Sequence, residues 1–262
     1  KKFLFKLKGA QKIESVLIRD GRRVTVCIST QVGCAVNCDF CATAKMGFIQ
    51  NLSQGEIIDQ FMQLEKICDV KITNVVFMGM GEPFLNYNNT IGAAHILHNP
   101  NGINLGAWRI TISTAGIINK IKKFTEDKEP FKLAVSLNGT SEEQRLKTMP
   151  INKNQSLSKL IEASDKYANS SKKKVTFEYV LLKGINDSPK DAKRLHHMLG
   201  SINCKLNLIP YNEINGFYRR PGEEAINLFI KELENAPFLV TVRWSKGHDI
   251  NAGCGQLVSI SK

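Results

Sequence analysis

The segment VTVCISTQVGCAVNCDFCATAKMG carries four of the chain's seven cysteines, Cys27, Cys34, Cys38 and Cys41. The last three have the spacing C-x3-C-x2-C, which wraps three thiolates around one inorganic centre, while Cys27 stands apart in an alternating Val/Thr/Ile stretch. A structural zinc needs four closed ligands. The loop supplies three, and Cys27 would have to leave its strand to be the fourth. A 4Fe-4S cluster held by three thiolates instead keeps one iron open for an outside ligand. A second motif, FMGMGEP, places Gly79 and Gly81 where backbone must approach something closely, and Glu82 where a cationic amino group could be held. Alone, it also reads as a plain strand-to-helix turn. Cys68 and Cys204 have no motif around them and read as inert core thiols. The histidines show no ligand spacing; His196 and His197 sit side by side on a polar helix.

Something must position these groups. Candidate strands VTVCIST, ITNVVFMG, RITISTAG, KLAVSLNG, VTFEYVLLKG and KLNLIPYN, with a further one at FLVTVRW, alternate with amphipathic stretches long enough for helical crossovers. That is a repeated β/α unit, hence a parallel sheet. Thr25 and Cys27, Thr111 and Ser113, Ser136 and Asn138, and Thr176 and Glu178 share faces opposite Val, Ile, Leu and Phe. The expected fold is α/β, a partial, open TIM-like barrel of about six parallel strands around a polar lumen, preceded by an N-terminal β-hairpin extension. An open sheet with one wet face is the alternative. Residues 1–23 read as the extension, and 24–262 as the core with its C-terminal segment. In IESVLIRDGRRVTVCIST the dipeptide Asp20-Gly21 predicts a tight hairpin turn that opposes Glu14 to Cys27 and Val16 to Thr25.

The 262 residues are 42% hydrophobic, an ordinary globular balance. No apolar run approaches the roughly 18 residues of a membrane span, and the apolar part of KKFLFKLKG is too short for a signal peptide. A cytoplasmic protein without a membrane partner is expected. An odd number of cysteines crowded in one loop argues against a secreted disulfide framework. Net charge is +12, with clusters at KKFLFKLKGAQK, INKIKKF, SSKKK and FYRRPG. Such a field attracts a phosphate backbone, although a generally Lys-rich proteome gives the same count.

C-x3-C-x2-C after a first barrel strand resembles the radical S-adenosylmethionine (SAM) superfamily, in which the open iron chelates the cofactor's methionine part. FMGMGEP resembles that superfamily's glycine motif. The ordered series VTVCISTQVGCAVNCDFCAT, FMGMGEPFLN, RITISTAG, MPIN, VTFEYVLLKGINDS, NLIPYN and GHDINAGCGQL resembles the RNA adenine-C2 methyltransferases of the RlmN/Cfr type over essentially the whole chain. Carbon 2 of adenine and the methyl of SAM are both electrophilic, so simple displacement fails and radical addition avoids the problem. The resemblance implies two SAM per turnover. One methylates Cys254; the other is reductively split, and its radical takes hydrogen from that S-methyl group. The resulting carbon radical adds to adenine, and Cys27 resolves the protein–RNA adduct as a disulfide with Cys254. The resemblance assigns Cys34, Cys38 and Cys41 to the cluster, Gly81, Glu82, Ser113, Ser136, Leu137, Asn138 and Asn212 to the cofactor, and a proton acceptor to Glu14. Its implied partners are 23S rRNA and tRNA, with a flavodoxin or ferredoxin as electron donor and a monomeric enzyme.

The chain departs from the family pattern in having Asn138 in place of His, Gly253 in place of Ala, and His248 and Asn251 in place of Asp. The family's small N-terminal accessory domain has no counterpart in the 262 residues. Gly81-Glu82-Pro83 favours carbon 2 over the carbon-8 chemistry of the resistance branch. A zinc-stabilised nucleic-acid-binding protein is the rival from another class.

Overall fold

The alternating segments become strands β1 (Lys2–Lys6), β2 (Lys12–Asp20), β3 (Arg23–Cys27), β4 (Gln31–Gly33), β5 (Phe48–Asn51), β6 (Asn74–Phe77), β7 (Ile110–Thr114), β8 (Lys132–Ser136), β9 (Val175–Leu181), β10 (Cys204–Pro210) and β11 (Leu239–Val242) in a computed structural model. It describes residues 1–68, 71–214, 216–244 and 250–258. Nine strands form one sheet in the order β1-β2-β3-β6-β7-β8-β9-β10-β11, while β4 and β5 pair separately. Strands β1 and β2 pair antiparallel, and the remaining seven run parallel. The edges β1 and β11 are not joined to each other, so the barrel is partial and open. Two strands enlarge the expected set. FLVTVRW contributes β11 as a seventh parallel strand, and the basic N-terminus adds β1 alongside β2.

Helices cross between the parallel strands because their apolar residues fall on one stripe. In Gln54–Ile67, Ile57, Phe61 and Leu64 recur at helical spacing and are buried, each contributing on the order of 1.5–3 kcal/mol. Ser53 starts this helix with a reciprocal capping box to Glu56. Ser188 and Asp191 repeat the device ahead of Pro189–Leu199, with Pro189 in the first turn. The outer sheet face, with Val26, Val75, Ile112, Val135, Phe177 and Leu206 fully or nearly fully buried, packs under these helices.

The inner face is polar, as the alternation predicts. Asn207 on β10 donates from Nδ2 to Glu178 on β9 at 2.9 Å and is bonded by Thr241 on β11, so a rung of polar side chains crosses three strands.

The hairpin register differs from the expectation. Asp20 pairs with Arg23, leaving Gly21-Arg22 as the loop; Cys27 is opposed by Val16 and not by Glu14, and Thr25 by Ile18. The physical reason is local. Gly21 has φ +56° and Arg22 is not in the left-handed region, the demand of a turn with glycine at its first central position, so Asp20 stays in the strand. The slip is two residues, an even number, and Glu14 therefore keeps the same face as Cys27, displaced along it.

Candidate active site

Every parallel strand delivers its C-terminal end to one cavity. It is bordered by Cys34, Cys38 and Cys41 from the loop after β4, by Gly79, Gly81 and Glu82 after β6, and by Ser113 and Thr114 of β7 with Ala115 just beyond it. Ser136 and Asn138 at the end of β8, Glu178 and Val180 on β9, Ile209 on β10 and Arg243 beyond β11 complete the ring. Cys254 and Gly255 approach from the C-terminal segment. Of the residues expected at the site, Cys27, Glu14, Leu137 and Asn212 lie beside this lining and not on it.

The cysteine loop is pinned by close backbone approach. An added Cβ on Gly33 (φ +72°) would lie 1.7 Å from the carbonyl oxygen of Gly47, whose oxygen also accepts from the Cys34 N–H. Val36 and Phe40 point into a small apolar cluster with Met149, Val180, Ile209 and Tyr211. Tyr218 donates to Asp39 at 3.1 Å, and the Asp39 N–H donates to Thr148. Burial pushes Cys34 up to about 12 and raises Cys38 as well, so these thiols are neutral until a metal centre takes their protons. Among the described residues no three Cys, His, Asp or Glu side chains converge on a point that one metal ion would fill. The three thiols instead border a shared cavity.

The glycines of FMGMGEP serve the chain itself. A Cβ on Gly79 would meet Ser29 and the Ile28 backbone at 2.6–2.7 Å, and one on Gly81 (φ +97°) would meet Gln31 at 2.5 Å. The turn after β6 thus lies flat against the turn after β3. That contact aims Glu82, whose carboxylate accepts from the N–H groups of Ala115 (2.6 Å) and Phe84 (2.9 Å).

The C-terminal segment is tied down on both sides of Cys254. Asn212 Nδ2 donates to the Cys254 carbonyl at 3.0 Å; Ala42 N–H donates to Gly255, Thr43 Oγ1 to Leu257 and Gln256 Nε2 to Glu213. Val258 N–H donates to Glu14 at 2.9 Å, and Lys2 pairs with the same carboxylate at 2.9 Å. Each such bond is worth about 1 kcal/mol net, enough together to fix where the thiol points. Gly253 bears on this directly. A Cβ there would lie 2.7 Å from the Asn212 side chain, so glycine lets Asn212 close on the cysteine carbonyl.

Two site residues escaped the sequence reading. Arg243 is within electrostatic reach of Cys27, Cys254 and Glu178 and donates toward Met78 Sδ at 3.6 Å. Glu178 keeps Oε2 buried without a hydrogen-bond partner among the described residues, and burial raises its carboxyl while Arg243 opposes the rise. The polar alternation of β9 marked Glu178 as inward-facing; nothing in TVRWSK marked Arg243. Leu137, expected at the cofactor, is wholly buried and serves through backbone, donating to Glu178 and accepting from Arg145 Nε. Asn138 sits at φ +53°, a conformation asparagine tolerates, and its Oδ1 accepts from Val180 N–H at 2.8 Å. Asn251 is exposed; His248 lies outside the described residues. Cys68 and Cys204 are buried away from this cavity, and Cys204 opens β10.

A family profile described as the radical SAM superfamily matches residues 28–195. A protein of Leptospira interrogans named as a probable dual-specificity RNA methyltransferase RlmN is 48% identical over 242 residues, 92% of this chain and 69% of its own length. The chain belongs to the RlmN family of the radical SAM superfamily. Another RlmN-family protein, the dual-specificity RNA methyltransferase of Syntrophobacter fumaroxidans, is 43% identical over 261 residues, 98% of this chain and 76% of its own. The fold agrees: a radical SAM methyltransferase from Sphaerobacter thermophilus superposes with a TM-score of 0.94 at 42% identity, covering 98% of this chain and 76% of that one. No helix among the described residues is long and apolar enough to cross a membrane.

The cofactors that the family implies, a 4Fe-4S cluster and SAM, suit the donors of this RlmN-family site. Glu82 is a buried carboxylate with backbone donors and no ion-pair partner among the described residues, and it is ready for an amino group. The unpartnered Glu178 oxygen suits a hydroxyl donor. Burial pushes the Glu82 carboxyl up to about 7, against the N–H groups of Ala115 and Phe84 that hold it down. Below that pH the carboxyl is protonated and accepts poorly from an amino group. SAM affinity of the reconstituted protein, followed by equilibrium dialysis, is therefore expected to be flat above about pH 8 and to fall by up to about tenfold per unit below pH 7. Glu82→Gln removes the pH dependence and leaves binding weak throughout.

Proposed function

We propose that this chain methylates carbon 2 of an adenine in RNA, in 23S rRNA and tRNA, through a methyl group carried on Cys254. The observation that carries the reading is that Cys254 borders the same cavity as Cys34, Cys38 and Cys41, and Cys27 lies near enough to Cys254 for the two thiols to influence each other's ionisation. Bound there, the cluster and SAM supply one-electron reduction and a hydrogen-atom acceptor, with two SAM consumed per turnover and electrons from a flavodoxin or ferredoxin.

The protein's own residues do the rest. Cys254 attacks the methyl of the first SAM through sulfur. Once its S-methyl carbon is joined to the base, Cys27 attacks the Cys254 sulfur. The hydrogen at carbon 2 leaves as a proton and the adduct's unpaired electron would pass to the oxidised cluster that the site would hold; the S–S bond then forms as the S–C bond breaks, and the carbon keeps the electron pair and takes a proton. Glu14 is the proposed acceptor for the carbon-2 proton. It is buried, on the Cys27 face, and its carboxylate also anchors the Cys254 segment through Val258. Pro83 opens a short 3-10 helix directly after Glu82, in keeping with the carbon-2 pattern. The enzyme is proposed to act as a cytoplasmic monomer.

Expression in a bacterial strain lacking its own enzyme, fed methionine with a fully deuterated methyl group, tests this. RNA nucleosides should contain 2-methyladenosine whose methyl carries two deuterons and one solvent proton. A methyl group with all three deuterons would show direct transfer, and methylation at carbon 8 would place the chain in the resistance branch.

A further inference from the structure

The rim of the cavity carries aromatic side chains that the core has no use for. Phe217 is 82% exposed and Trp244 49% exposed, the former being the most exposed large apolar residue among the described residues. Neither stands on a loose loop. Tyr218, next to Phe217 and edge-on to it at 5.7 Å, is buried and hydrogen-bonded to Asp39 in the cysteine loop. Arg220 donates its N–H to Glu213, and its guanidinium lies over the Trp244 ring at 5.4 Å. Glu213 also holds Gln256, two residues from Cys254, and Trp244 directly follows cavity-lining Arg243. Lys45 reaches Gly216, so the exposed rings are flanked by cations.

Flat rings and guanidinium planes set among cations at the mouth of a site fit unpaired nucleobases on a phosphate backbone. An adenine that enters the cavity must leave its stack, which strips its neighbours of their stacking partner. We propose that Phe217 and the Arg220–Trp244 pair form a stacking platform for the bases flanking the target adenine. The proposal rests on the reading of this site as an RNA methyltransferase.

The chain has two tryptophans, and Trp108 precedes β7, at the opposite end of that strand from Ser113. A Trp108→Phe protein therefore reports on Trp244 alone. Titrating the reconstituted variant with an RNA hairpin bearing a single-stranded purine loop around one adenine should quench its fluorescence at the midpoint given by RNA anisotropy. The same hairpin with abasic sites flanking the adenine should bind more weakly and quench little. Phe217→Ala and Trp244→Ala should each weaken hairpin binding by about five- to 150-fold, with SAM affinity unchanged, and Phe217→Tyr should restore it. Tight binding without quenching, or Phe217→Ala binding as wild type does, overturns the platform and leaves the methyltransferase reading intact. Absence of any hairpin binding overturns both.

Discussion

Replacing Cys254 with alanine is expected to abolish RNA methylation while cluster content and SAM binding stay at wild-type levels, because in the proposed scheme the transferred carbon has no other sulfur to travel on. Cys27→Ala gives a different defect. The adduct should form and not be released, so protein-linked RNA is expected to accumulate on denaturing gels to about one per active chain. Release also has a pH signature. Burial pushes the Cys27 thiol up to about 12, with Arg243 working against the rise. Only the thiolate attacks sulfur, and at pH 7 its fraction in the free protein is on the order of 10⁻⁵. Release should accelerate about tenfold per pH unit from neutrality upward, as the thiolate fraction grows toward that pKa. Arg243→Met removes the opposing cation and should slow release at every pH without lowering adduct formation to the same extent. Normal turnover by Cys27→Ala would end the resolving role, and a flat pH profile would show that thiol ionisation does not limit release.

The sequence made the parallel strands legible because each couples a polar, small-residue face to a Val/Ile/Phe face, as a curled sheet with a wet lumen requires, although an open sheet with one wet face shows the same alternation. It singled out Cys34, Cys38 and Cys41 because three thiols in a short loop have few other uses, and the structure places all three on one cavity. Register was harder. The Asp20-Gly21 dipeptide suits more than one hairpin, and only the left-handed φ at Gly21 with an ordinary Arg22 selects the two-residue loop that moves Val16 opposite Cys27. Arg243 was invisible for another reason: its importance comes from β11 closing the parallel series, which brings it to residues far away in sequence. Glu14 shows both sides. Its face was readable from alternation, but its hold on Val258 depends on where the C-terminal segment runs, and no local pattern encodes that.

Alanine at Cys34, Cys38 or Cys41 is expected to abolish the cluster, taking iron and sulfide from about four each per chain to background and removing the broad absorbance near 400 nm. Each thiolate would hold a different iron of the cluster, so no remaining pair could compensate. The loss should not be a folding defect. The loop is held by Val36 and Phe40 in their own apolar cluster, against which the three cysteine side chains also pack partly buried, and by the Gly33–Gly47 contact and Ala42 bonding Gly255, which use no cysteine sulfur. The apo variants should therefore melt with the apo wild type, within the change expected for trimming a partly exposed side chain. Cys68→Ala and Cys204→Ala provide the contrast: they open small voids in the main core, lower the melting temperature, and keep full iron. One tightly bound zinc and no iron after anaerobic reconstitution of the wild type would overturn the cluster assignment, and with it every step assigned to Cys254 and Cys27.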